Sequence, residues 1–136
     1  MAEEKYNRFI EELINKTKNN KLYWHYLDTD TDIYTKMGWC KEGNIGILSM
    51  SKTITPTFNR ENSFYATENG FRIVLLVFGN DPADLYVIPS TYKRVLWLSA
   101  SIYGELITRL LNLVQSQFPD SEEYVDMVLK KSAPQE

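Results

Sequence analysis

The step Asn69-Gly70 stands between two runs of strand-forming residues, 63–68 (SFYATE) and 71–78 (FRIVLLVF). Asn-Gly supplies the two positive φ angles of a type I′ turn, a tight link between antiparallel strands. No other feature of the chain constrains its fold as much, because such a turn also fixes register. The predicted hairpin sets Glu68 against Phe71, Ala66 against Ile73 and Phe64 against Leu75. In its second strand Phe71, Ile73, Leu75 and Val77 share one face, and Val74, Leu76 and Phe78 the other. A strand apolar on both faces is a central one, covered twice.

The rest of the chain is arranged around that hairpin. Tyr6, Phe9, Ile10, Leu13 and Ile14 recur at helical spacing and predict an amphipathic helix over 3–18. Glu4–Arg8 and Glu12–Lys16 are favourable i,i+4 pairs within it, and Asn19-Asn20 ends it. Residues 21–27 read as a first strand, 28–32 (DTDTD) as a polar turn and 33–41 as a second strand. Glu42-Gly43-Asn44 then turns into a strand over 45–54, and 55–57 and 59–62 read as loop. Beyond the Asn-Gly hairpin, 79–82 turns the chain into a strand over 83–88, which Pro89 ends or confines to an edge.

The last third reads as helical. Tyr103, Leu106, Ile107, Leu110, Leu113 and Val114 form a wide apolar stripe, with Ser99 or Ser101 as its cap. Residues 92–98 either begin this helix or run on extended. Pro119-Asp120 opens a short last helix in which Asp120 and Glu123 have capping-box spacing and Tyr124, Met127 and Val128 face inward. Residues 130–136 read as a frayed tail. The fold class is therefore α+β, one domain over 1–129: an N-terminal helix, an antiparallel sheet of about five or six strands built from hairpins, and C-terminal helices packed on the sheet. The second face of the central strand calls for cover from the N-terminal helix or from a second subunit, so a homodimer is an expectation.

Composition narrows the function. The 136 residues suit one domain and carry a single cysteine, Cys40, too few for an internal disulfide. The opening residues are acidic, and the longest purely apolar run spans only 73–78. A cytoplasmic protein with no membrane segment is expected. A net charge of −3 speaks against non-specific nucleic-acid binding, which draws on a basic surface. The local excess of Lys36, Lys41, Lys52 and Arg60 over Glu42 reads as a solvated sheet face.

No motif assigns chemistry. Asp28, Asp30 and Asp32 have the spacing that opens a calcium loop, but its sixth and twelfth positions hold Ile33 and Trp39 in place of glycine and glutamate. His25 and Cys40 are each the sole residue of their type, and nothing local activates the thiol. The carboxylates Glu61 and Glu68, and Asp81 and Asp84, fit turns and edges. No glycine loop opens a helix to hold phosphate. No catalytic residue, metal or cofactor is assigned.

Nine Tyr, three Trp and six Phe exceed what one small core must hold, which points to a binding surface. Tyr23, Trp24, Tyr34 and Trp39 are its candidates. Arg72, on the face opposite Phe71 and Ile73, is an anion or nucleotide contact together with Lys93 and Arg94, or a residue snorkelling at the sheet margin.

Residues 9–24 (FIEELINKTKNNKLYW) resemble the start of many small bacterial proteins from phages and mobile elements, which run from a short helix through a Lys-Thr turn to a strand Trp. The hairpins and Leu-rich helix that follow look similar too. The resemblance implies a protein that works by binding, as an inhibitor of host defence, an immunity protein or an adaptor, and it carries over no catalytic residue. The expected function is thus non-enzymatic binding to another protein. The alternative is a small-molecule or nucleotide sequestering protein with its pocket at a dimer seam, and an enzyme using His25 or a carboxylate ranks last.

Overall fold

A computed structural model describes residues 2–44 and 52–132. In chain order the elements are α1 (Ala2–Lys18), β1 (Trp24–Tyr26), a 3-10 turn (Leu27–Thr29), α2 (Thr31–Lys36), β2 (Cys40–Asn44), β3 (Lys52–Pro56), β4 (Phe64–Glu68), β5 (Phe71–Leu76), β6 (Asp84–Pro89), β7 (Leu96–Leu98), α3 (Ala100–Gln115) and α4 (Ser121–Ser132). The fold is α+β. Five antiparallel strands lie in the order β1-β4-β5-β6-β7, and β2 and β3 form a separate ribbon.

The Asn-Gly hairpin has the expected register, with Phe64 opposite Leu75, Ala66 opposite Ile73 and Glu68 opposite Phe71. Asn69 and Gly70 take φ values of 53° and 81°, as a type I′ turn requires. β5 lies at the centre of the sheet, and its two faces feed two cores. On one face Ile73 and Leu75 join Trp24, Phe64, Ala66, Leu85 and Leu98 beneath Ile10, Leu13 and Ile14 of α1 and Ile107, Leu110 and Val114 of α3. On the other, Val74, Leu76 and Ile88 pack with Leu27, Ile33, Tyr34, Trp39 and Phe58. The second cover therefore comes from residues 27–39 and Phe58, in place of the N-terminal helix or second subunit expected from the sequence.

Helix ends are set by local chemistry. α1 closes in a Schellman motif: Asn20 is left-handed (φ 55°), its N–H donates to Thr17 O (3.2 Å), and Lys21 N–H donates to Lys16 O (2.8 Å). Lys16 bonds Glu68 at the end of β4, at 2.7 Å, and so clamps α1 to the sheet instead of pairing with Glu12.

The strand expected over 33–41 is replaced by α2 and the start of β2. Asp30 is a helix cap, its carboxylate accepting from Ile33 N–H at 3.2 Å. Asp32 and Lys36 pair across one turn at 3.4 Å. Gly38 (φ 75°) ends the helix, with Gly38 N–H donating to Thr35 O and Trp39 N–H to Tyr34 O. The weak alternation over 33–41 is thus a helical Ile33, Tyr34, Met37 stripe. Glu42, Gly43 and Asn44, expected to turn, lie in β2 opposite Ile54, Thr53 and Lys52 of β3, and Thr55 and Pro56, expected in a loop, complete that ribbon. Most of the strand expected over 45–54 lies outside the described residues.

Residues 92–95 form an irregular stretch in which Tyr92 and Arg94 are left-handed (φ 59° and 58°), and only Leu96–Leu98 is extended, as β7. Ser99 holds the cap position of α3, but its hydroxyl bonds Ser101 Oγ (2.7 Å) and caps no helix N–H. Its work is done from β6, where Asp84 Oδ1 accepts from Ala100 N–H at 2.7 Å. α3 kinks at Tyr103 (φ −113°, ψ 15°), beside Gly104. The helix that follows, α4, runs to Ser132, through the first part of the tail expected from residue 130; residues 133–136 lie outside those described.

Candidate interaction surface

Three of the four aromatic residues expected on a binding surface are buried. Trp24 is 4% exposed, Tyr34 6% and Trp39 9%, while Tyr23 alone is open, at 70%. Trp24 Nε1 donates to Thr17 Oγ1 at 3.0 Å, and Thr17 Oγ1 donates onward to Leu13 O at 2.8 Å. The aromatic excess is explained by the second core, which Tyr34, Trp39 and Phe58 fill together with the partly buried Tyr65, Tyr86 and Tyr92.

Arg72 lies over the ring of Tyr92, 5.4 Å from its centre, and Lys36 lies 4.9 Å from the same centre. Tyr92 Oη donates to Asp32 Oδ2 at 3.1 Å. This cluster ties β5 and the β6–β7 loop to α2. Lys93 and Arg94, in that loop, are exposed. Burial, and then the bond to Asp32, push the Tyr92 hydroxyl up from 10.0 to about 12. That bond, with Lys36 and Arg72 behind it, holds Asp32 below its ordinary value.

Because the folded protein resists Tyr92 ionisation more than the unfolded chain does, its contribution to stability is whole below pH 10 and drains away as pH rises toward about 12. Tyr92→Phe is expected to flatten this part of the alkaline stability loss, with Tyr86, also raised by burial, keeping some of the slope. Denaturant titrations across that window test it; parallel losses in wild type and variant refute the placement.

The Asp28, Asp30 and Asp32 carboxylates diverge. Asp28 pairs with Arg60 (3.0 Å), Asp30 caps α2, and Asp32 holds Tyr92 and Lys36. Among the described residues no group of three His, Cys, Asp or Glu is placed to hold a metal ion. His25 packs on Tyr65, with ring centres 5.3 Å apart, and Cys40 opens β2. No hydrogen bond joins His25 to Cys40 among the described residues.

Among the described residues the longest run of exposed apolar side chains is on α4. Tyr124, Met127 and Val128, expected to face inward, are exposed. All residues over 121–131 are exposed, including Tyr124 at 64%, Val125 at 47%, Met127 at 51% and Leu129 at 62%. Successive residues turn by about 100° around a helix. Tyr124, Met127 and Val128 therefore fall within about 100° of one another, Val125 and Leu129 lie toward one flank, and Glu122 and Asp126 lie opposite. The helix is well begun: Asp120 Oδ1 accepts from Glu123 N–H at 2.8 Å. Acid in its first turn and Lys130 and Lys131 in its last suit the helix dipole.

α4 is joined to the body through Phe118, whose ring centre lies 5.1 Å from Phe64 and 4.8 Å from Tyr26. A cleft of about 570 Å³ opens beside this joint, lined by Tyr26, Phe64 and Phe118 and by the carboxylates Glu61, Asp120 and Glu123. Among the described residues no lysine or arginine lines it. Sequence periodicity identified the apolar side of α4 but not its direction; the Pro119 break is the signal that separates it from α3.

Comparison of the chain with protein-family models, with curated proteins and with solved structures finds no match. Among the described residues no helix is long and apolar enough to cross a membrane.

Proposed function

We propose that this chain is a non-enzymatic protein-binding module that docks through α4. The observation that carries the reading is the outward apolar side of that helix, Tyr124, Met127 and Val128. A helix of 12 residues is marginal in water on its own. Its apolar side gains stability only by entering a groove or pairing with another helix, the recognition mode of amphipathic docking helices. The phage or mobile-element setting implied by residues 9–24 suits such a module as a cytoplasmic inhibitor that occupies a protein surface.

A photo-crosslinking amino acid at position 127, introduced into the full chain in the cells that express it, tests the reading. One adduct of discrete mass is expected, and it should vanish when Tyr124→Asp and Val128→Asp are added. A crosslinker at Glu105, exposed on α3, serves as the comparison. If position 127 yields no adduct beyond that background, α4 is not a docking element.

A further inference from the structure

We infer that the partner of α4 is α4 of a second copy of this chain, packed antiparallel. This rests on the reading of α4 as the docking element and adds the identity of what it docks against. Charge distribution carries it. The first turn of α4 holds Glu122 and Glu123, and the last holds Lys130 and Lys131. A parallel pair would set acid beside acid and align the two helix dipoles. An antiparallel pair related by a twofold axis sets each acidic end beside the other copy's basic end and opposes the dipoles. With the axis midway between residues 126 and 127, Glu123 comes level with Lys130 of the second copy on the same flank of the pair, and Tyr124, Met127 and Val128 line the seam.

The body of the protein continues the same complementarity. The cleft beside the start of α4 is lined by Glu61, Asp120 and Glu123 and, among the described residues, by no lysine or arginine. In the antiparallel arrangement, that cleft receives the Lys130–Lys131 end of the second copy. Its aromatic lining, Tyr26, Phe64 and Phe118, offers apolar surface for the lysine stems. The twofold axis makes this contact twice. Two three-turn helices bury less than a standard interface, so the pair is expected to be reversible, with a dissociation constant of roughly 1–100 µM.

Sedimentation equilibrium of the full chain at about 100 µM tests the inference. Wild type is expected to be dimeric there, and Tyr124→Asp monomeric with an unchanged thermal midpoint. The double variants Lys130→Glu/Lys131→Glu and Glu122→Lys/Glu123→Lys should each weaken the dimer about tenfold, since rim charges act modestly and are screened by salt. An equimolar mixture of the two should restore association to near the wild-type level. A dimer indifferent to Tyr124→Asp, or a mixture no tighter than its components, overturns the inference. So does a monomer at this concentration. If that monomer still gives the position-127 adduct with a chain of different mass, self-pairing fails while protein binding through α4 stands. If it gives no adduct, both fail.

Discussion

Phe64→Ala is expected to lower the unfolding free energy by about 3–5 kcal/mol, the largest effect of any single truncation proposed for this chain. Phe64 is 1% exposed and lies on β4, between Tyr26 on β1 and Leu75 on β5. Its ring packs 5.1 Å from those of both Tyr26 and Phe118. Truncation removes apolar area and leaves a cavity where two strands and the end of α3 meet, a site the strand ladder on both sides keeps from collapsing. A domain of ordinary stability holds about 5–15 kcal/mol in reserve, so the variant would unfold at much lower denaturant. Equilibrium denaturation in urea reads the change as a shifted midpoint with a preserved slope. A loss under about 1 kcal/mol would contradict the packing described.

Trp39→Ala is expected to cost about 3 kcal/mol, which separates a core residue from a surface one. Trp39 packs edge-on against Tyr86, with ring centres 5.0 Å apart, and lies with Ile33, Tyr34 and Phe58 beneath Val74 and Leu76. Removing the indole opens the second core on the side where residues 27–39 close it. Tyr23→Ala is the matched comparison: at 70% exposure it should change stability by no more than about 0.5 kcal/mol. Calorimetry on the two variants decides the matter. Equal midpoints would mean that Trp39 is a surface residue after all.

The Asn69-Gly70 hairpin was legible because its information is local. Turn chemistry and period-two alternation act within a few residues, and both agree on one register. The amphipathic stripe of α1 was legible for the same reason, and Ile10, Leu13 and Ile14 are all buried. Residues 28–39 were not, because Asp and Thr serve turns and helix caps through the same side-chain bonds. Asp30 capping Ile33 is decided by what Ile33 and Tyr34 bury against, which lies on β5 and β6 far along the chain. The aromatic surface failed on a related point. Trp24 and Trp39 have the same composition whether they face solvent or a second core, and only the three-dimensional cover over β5 distinguishes the two. α4 shows the converse: periodicity reveals an apolar side without saying whether this chain covers it.

The three tryptophans occupy three different settings. Trp24 lies in the core beneath α1 and α3, Trp39 in the core closed by residues 27–39, and Trp97 is 59% exposed on β7. The chain thus carries one intrinsic fluorophore for each side of its central strand and a third that reports on solvent. Single-tryptophan versions would let emission from Trp24 and Trp39 be followed separately through unfolding, showing whether the two faces of β5 melt together or one after the other.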